Sequence, residues 1–278
     1  MALTARLPDP DIWIYDIERG ALRRITFATG EDEVPVWSPD GKRLAYSSNS
    51  RQQAFVTAID GSGQEESLLK NESHFHLQSW SPDGKLIAFD SQARGESNIY
   101  VVDPHSGVPQ LLPIDIHNNN VPRWSHDGKW IYFENGVDSD NPGIWKVPSS
   151  GGHALQIAKR AERPIESPDG QRVFFIRDEM LWTVKSDGTG EEQVAGMPHV
   201  WSDRWTPYGS GIYFVKYNDE KSICFFDLSS RETRTVFNMG KYPPNQMGNL
   251  AVSSDGKRLL FAQRDEATSE LMMIENWR

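Results

Sequence analysis

The sequence is poorest in cysteine. Cys224 is the only one in 278 residues, so an intrachain disulfide and a cysteine-based zinc site are both excluded. A run of about 18 apolar residues, the length a membrane-crossing helix needs, is missing as well. The opening residues Met1–Arg6 lack the apolar stretch of a signal peptide, although a piece of a longer protein would read the same way. There is no excess of basic charge: 29 Lys and Arg stand against 39 Asp and Glu, a net charge of −10, with neither sign gathered into a block. A nucleic-acid partner is therefore not expected, because neutralising phosphates needs a basic patch. Common catalytic motifs are lacking too. Gly-x-Ser-x-Gly, His-Glu-x-x-His, Gly-x-Gly-x-x-Gly and a phosphate-cradling loop are all absent, which removes the usual support for hydrolase, zincin and nucleotide-binding readings.

What the chain does have is aromatic residues and punctuation. Aromatics make up 11% of it and include 10 Trp, enough apolar volume for a sizeable core. With 22 Gly and 17 Pro the elements between breaks must be short. One phrase recurs along the chain: Trp37-Ser38-Pro39-Asp40-Gly41, Trp80-Ser81-Pro82-Asp83-Gly84 and Trp124-Ser125-His126-Asp127-Gly128. Three degraded copies follow, at Ser167-Pro168-Asp169-Gly170, Trp205-Thr206-Pro207-Tyr208-Gly209 and Ser253-Ser254-Asp255-Gly256. Successive Ser/Thr positions lie 43, 44, 42, 39 and 47 residues apart. A period of this size marks a solenoid, an array or a propeller.

Each copy precedes a β-type run such as Arg43–Tyr46, Leu86–Phe89 or Val173–Ile176, and a second run arrives some ten residues later, as in Asn98–Val102 and Gly143–Val147. Both are rich in β-branched and aromatic residues and bounded by turn formers. The Ser-Pro-Asp-Gly phrase reads as a tight turn in which Pro presets φ, Asp bonds nearby backbone and Gly accepts positive φ. Trp37, Trp80, Trp124 and Trp205 are then expected on innermost strands, buried between neighbouring sheets. Units of four short strands bury their faces by radial stacking. The expectation is an all-β, six-bladed β-propeller with four-stranded antiparallel blades, one domain over residues 1–278.

Asp11–Asp16 and Leu22–Thr26 precede the first phrase and read as outer strands. They are expected to complete the last blade and close the ring, since an open edge invites aggregation. The last blade also has three runs of its own, counting Leu271–Ile274. That is one strand too many for four, so seven blades with one incomplete is the alternative.

The phrase Trp-Ser-Pro-Asp-Gly-Lys-x-Leu/Ile-Ala-Tyr/Phe resembles the TolB-type, WD-repeat-like propellers over nearly the whole chain. Glu270–Arg278 resembles the ending of sensor-type propellers at the C-terminus of some bacterial serine/threonine kinases and winged-helix regulators. The resemblance implies a periplasmic or extracytoplasmic place, a longer bacterial parent protein, and recognition of a protein, peptide or small ligand without covalent chemistry.

The loops leading into the innermost strands are the natural ligand site, because they ring one end of the channel. Counting back from each phrase gives Glu31-Asp32-Glu33, His74-Phe75-His76, His117 to Asn120, Arg160-Ala161-Glu162-Arg163, His199-Val200-Trp201 and Asn245–Met247. The candidate ligand-binding residues are Glu33, His74, His76, His117, Asn120, Arg160, Glu162, Arg163, His199 and Trp201. The acidic triplet reads first as a solvated loop and second as a cation contact. Arg160 and Arg163 together can grip a carboxylate or phosphate, with Glu162 as a competing ion-pair partner.

His74-x-His76 opens a second class. Alternate residues of an extended strand point the same way, so His74, His76, His117 and His199 are a candidate metal ring. The pair also resembles the Gln-x-x-His-x-His element of the oligogalacturonate lyases, with Asn71 at the Gln position, which implies a metal-dependent polysaccharide lyase. Against it stands the plainer reading of histidines lining a wet channel. Asp138–Gly143 reads as a polar turn rather than a calcium loop, Asn71-Glu72-Ser73 is a glycosylation sequon, and Cys224 is read as a buried small hydrophobe. The favoured reading is a non-catalytic, monomeric binding module that needs no cofactor, metal, nucleic acid or membrane insertion.

Overall fold

The computed structural model describes residues 10–28, 30–48, 51–60, 64–70, 75–92, 95–136, 141–216, 219–238 and 250–264. Its strands follow the repeat. After β1 (Pro10–Asp16) and β2 (Ala21–Arg24), the first blade is β3 (Asp32–Trp37), β4 (Arg43–Ser48), β5 (Gln53–Ala58) and β6 (Glu66–Lys70). The second is β7 (Phe75–Trp80), β8 (Ile87–Ser91), β9 (Asn98–Val102) and β10 (Pro109–Leu111). The third is β11 (Asn119–Trp124), β12 (Trp130–Asn135), β13 (Gly143–Pro148) and β14 (Leu155–Lys159). The fourth is β15 (Glu162–Glu166), β16 (Arg172–Arg177), β17 (Met180–Lys185) and β18 (Glu192–Gln193). The fifth is β19 (Val200–Tyr208), β20 (Gly211–Lys216), β21 (Asp219–Asp227) and β22 (Thr233–Asn238), and the chain reaches β23 (Ala251–Val252) and β24 (Arg258–Arg264).

Those last two strands pair with the first two. The sixth sheet runs β2-β1-β24-β23, with Pro10 opposite Arg264 and Asp16 opposite Arg258, all antiparallel. Innermost strands touch in the order β3, β7, β11, β15, β19, β23 and back to β3. The molecule is a six-bladed β-propeller. Ring closure takes two strands from each end of the chain, so the surplus strand expected from Leu271–Ile274 is not needed; that segment lies outside the described residues, as do the sequon and Asp138–Asp140.

The recurrent turn is built as its residues dictate. In the first copy the Ser38 hydroxyl donates to Asp40 Oδ1 (2.6 Å), which also accepts Lys42 N–H (3.1 Å), while Arg43 N–H donates to Ser38 Oγ (2.9 Å). The same circuit recurs at Ser81/Asp83, Ser125/Asp127, Ser167/Asp169 and Ser253/Asp255. Gly41, at φ 66°, closes the turn by donating its N–H to Ser38 O. These bonds hold the turn carboxyls down: Asp83 to about 2, first through the Ser81 hydroxyl, and Asp127 to about 2, first through the Lys129 N–H. The fifth copy departs. Lacking Ser and Asp at those two places, it extends β19 to Tyr208 and turns on Gly209-Ser210, with Tyr208 opposite Gly211.

Once the turn is fixed, the preceding Trp has one place to go. Trp37, Trp80 and Trp205 are buried, and each packs against the blade before its own. Trp80 lies with Val36, Ala45 and Val56 of the first blade and donates its indole N–H to Val36 O (3.3 Å). Trp124 corrects the expectation in part. It packs at the seam of the second and third blades but is only half-buried. Every blade seam holds its own apolar cluster among the described residues. Cys224 is buried in the cluster of the fourth and fifth blades, as read.

Two outcomes follow from the seams and the closure. Trp80→Ala removes a buried aromatic and its hydrogen bond, and is expected to lower unfolding free energy by about 3–5 kcal/mol in urea titration. A loss below about 1 kcal/mol contradicts this placement. Deleting residues 1–28 strips β1 and β2 from the sixth blade and exposes β24, and is expected to give aggregation or a much lower Tm. A monomeric deletion variant with an unchanged Tm contradicts the closure.

Candidate binding site at the channel mouth

The innermost strands begin at the end of the channel away from the Ser-Asp turns, and there they share a distortion. In β3 the register slips between Glu33 and Val36, in β11 between Asn120 and Arg123, and in β15 between Glu162 and Ile165. The residue after the first of each pair is left-handed, at φ 51° for Val34 and Val121 and 59° for Arg163, and proline follows each time. A left-handed residue with a side chain costs about 1–2 kcal/mol, the more so when β-branched, and needs support from its surroundings. Two supports are carboxylates of the preceding blade. Asp90 Oδ1 accepts Val121 N–H (3.2 Å), and Glu134 Oε2 accepts Arg163 N–H (2.7 Å). Asp90 stands opposite His76 and Glu134 opposite Asn120 in their own sheets, so the two carboxyls occupy equivalent places on β8 and β12.

Each bulge thereby fixes the residue four positions before the seam Trp, or before Glu166 where Trp is replaced. Those residues are Glu33, Asn120 and Glu162, with His76 at the same position of β7, where the slip falls between Leu77 and Ser79, and Trp201 at that of β19; the Trp201 side chain lies outside the described residues. Between the third and fourth blades the mouth opens into a cavity of about 940 Å³ whose wall includes Asn120, Glu134, Arg160, Glu162, Asp178 and Glu179. Asn120 Oδ1 is buried there with no hydrogen-bond partner among the described residues. Glu134 is pushed up to about 7 by burial, and the nearby Arg163 charge and N–H only partly offset that rise.

The predicted residues fall into groups. Asn120, Arg160 and Glu162 meet at the cavity. His76 is not on its wall; its Nδ1 lies 3.1 Å from Asp90 Oδ2, and its pKa is raised first by that bond, with the Arg163 charge opposing and the Glu33 charge adding. Glu33 and Asp32 are buried rather than solvated, which corrects the first reading of the acidic triplet. Asp32 owes this to Arg51, whose Nη2 donates to it at 2.9 Å from 19 residues away. Arg160 lines the cavity and Arg163 does not, so the two guanidinium groups form no shared clamp on its wall. His117 and His199 are exposed at the rim, with Nδ1 3.7 Å from Glu96 and 3.6 Å from Glu179. His74 lies outside the described residues. Among the described residues no three His, Cys, Asp or Glu side chains are gathered to hold a metal ion.

Sequence reading missed Asp90, Glu134 and Arg123. Arg123 is half-buried, brought down to about 10 by desolvation and then by Arg163, and donates to Gln78 O. The signal was present only as register: Asp90 and Glu134 sit 9 residues beyond Ser81 and Ser125 respectively.

The family model of the TolB beta propeller domain matches residues 54–191. A solved structure from Agrobacterium tumefaciens described as a TolB superposes with TM-score 0.76 at 22% identity, over 93% of this chain and 99% of that one. The chain is a TolB-like β-propeller. A crystal structure of TolB from Acinetobacter baumannii is similar to this propeller at TM-score 0.61 and 15% identity, over 92% of this chain and 64% of that one. An oligogalacturonate lyase in complex with manganese gives TM-score 0.61 at 12% identity, over 93% and 83% of the two chains, a likeness of fold alone. A protein of Agrobacterium fabrum whose function is uncharacterized is 28% identical over 135 residues, 42% of this propeller, and the match spans less than half of that protein's length, 46%.

The cavity makes a pH prediction. Glu134 binds its proton more tightly folded than unfolded, so its contribution to stability is complete below its ordinary value of 4.5 and is lost as pH rises through about 7. Glu134→Gln is therefore expected to match the parent near pH 4.5 and to exceed it at pH 8, by no more than about 3 kcal/mol. Stability curves of the two proteins that stay parallel from pH 4.5 to 8 contradict a raised Glu134.

Proposed function

We propose that this propeller is a non-catalytic binding module within a larger bacterial protein, and that its ligand face is the channel mouth framed by Glu33, His76, Asn120 and Glu162. The observation that carries the reading is the 940 Å³ cavity beside Asn120 and Glu134, of a size with ligand sites in general. Five carboxyl groups, Glu96, Glu134, Glu162, Asp178 and Glu179, share its wall with Arg160 and Arg177. A peptide or small ligand that offers N–H donors and a positive charge suits that wall. Exposed His117, His199 and Arg160 extend the face at its rim, and His74 and Trp201 belong to the same loops by sequence. The TolB-like fold supports a partner protein or peptide in the same place, and an extracytoplasmic compartment follows from that likeness as part of the proposal.

The test is selection of peptides on the immobilised propeller, followed by binding to variants. Glu162→Lys is expected to weaken the selected peptides at least tenfold, and Lys85→Glu, at the opposite end of the channel, to leave them unchanged. Binding indifferent to Glu162→Lys and to Arg160→Glu contradicts the site.

Metal content tests the class. Because His76 is engaged by Asp90, the purified protein is expected to leave gel filtration without stoichiometric transition metal and to keep its Tm in chelator. One equivalent of Mn²⁺, Zn²⁺ or Ni²⁺ that disappears in His76→Ala overturns this and favours metal-dependent chemistry.

A further inference from the structure

At one seam the repeat changes its chemistry in four places at once. Opposite the innermost strand of each blade, the second and third strands of the blade before it pair Ala45 with Val56, Ala88 with Val101, Tyr132 with Lys146, Phe174 with Thr183, Val215 with Ile223 and Leu260 with Ile14. The residues facing those pairs at the ends of the inner strands are Trp80, Trp124, Glu166, Trp205, Val252 and Trp37. Lys146 and Glu166 are the charged members of this whole set, and both fall at the seam of the third and fourth blades. His126 replaces the turn proline beside them.

These substitutions meet. Glu166, nearly buried, accepts the Tyr132 hydroxyl at Oε1 (2.9 Å), and at Oε2 the His126 backbone N–H (2.6 Å) with His126 Nδ1 at 2.8 Å. The Lys146 ammonium donates to Ser186 O (2.6 Å) and stands 4.6 Å over the Trp130 ring. A cavity of about 460 Å³ lies among these side chains, bounded also by Asp169. Tyr132 and Glu166 by themselves are a closed repacking, the phenol replacing volume lost with the indole and satisfying the carboxylate. That repacking requires neither Lys146 nor His126, and it leaves the cavity unfilled.

We infer that this seam is a second binding site, for a neutral polyhydroxylated ligand the size of a monosaccharide. Lys146 retains two N–H donors, His126 retains its second ring nitrogen, and Asp169 places only Oδ1 in the turn circuit with Ser167 and Gln171. Donors and acceptors therefore alternate around a pocket with an aromatic wall, which is what vicinal hydroxyls recognise. Glu166 and Asp169 oppose an anion, and Lys146 opposes a cation. The site is at the end of the inner strands opposite the channel mouth, so it is independent of the ligand proposed there.

Thermal unfolding with millimolar glucose, galactose or mannose tests the inference, with inorganic phosphate and glycine as charged comparators. At least one hexose is expected to raise Tm to a saturating limit. Lys146→Val, which restores the residue found at the first two seams, is expected to abolish that rise, and Glu162→Lys at the mouth to preserve it. His126→Pro, also a restoration to the repeat, serves as the second variant if Lys146→Val does not fold, and is expected to weaken the response at least tenfold. Absence of a saturable hexose response, a response confined to phosphate or glycine, or one that survives both restorations overturns the inference.

Discussion

The propeller depends on how each innermost strand is held at both ends against the blade before it. At one end a tight turn, built on the Ser-Asp circuit in every copy but the fifth, follows the residue that packs at the seam, a Trp in four of the six copies. At the other, β3, β11 and β15 kink through a left-handed residue before proline, and the kink at Val121 and Arg163 is met by Asp90 and Glu134 reaching across from the previous blade. A backbone this strained persists only where neighbours over-determine it. Carboxylates placed on second strands do that, and one of them, Glu134, also lines the cavity, so it serves the fold and the proposed site together.

This double duty explains the chemistry of the mouth. Glu134 is partly buried because it spans the seam, and burial is what lifts its carboxyl towards neutrality. Asn120, its partner across the sheet, is left with a buried carbonyl oxygen that finds no protein donor among the described residues. Arg163 contributes a backbone N–H and a nearby positive charge rather than a free guanidinium on the cavity wall. The proposed ligand face is therefore made of groups whose positions are set by blade packing rather than by loop conformation, which would limit the rearrangement that binding requires.

Much of the fold was legible because its signals are local. Trp, Ser, Asp and Gly lie within five residues of one another and carry the turn, the strand end and the seam together, so their spacing points to six blades, and the pairing of β1 with β24 removes the seven-blade alternative. The fifth turn broke the pattern for an equally local reason: Thr206 and Tyr208 replace the Ser and Asp that build the circuit. The mouth was legible by position, since Glu33, His76, Asn120 and Glu162 keep a constant offset from the phrase, but not by chemistry. Burial of Asp32 depends on Arg51, which is distant in sequence, and the roles of Asp90 and Glu134 depend on contacts with the next blade. None of these has a short-range signature.

The central claim is that ligand engages the kinked ends of the innermost strands. Hydrogen exchange of the propeller, alone and saturated with a bound peptide, tests it most directly, since amide protection reports local opening residue by residue. Added protection is predicted at Val121, Arg163 and the residues around them at the mouth of the third and fourth blades. Protection confined to the Ser-Asp turns or to the outer strands β10, β14 and β18 would contradict it.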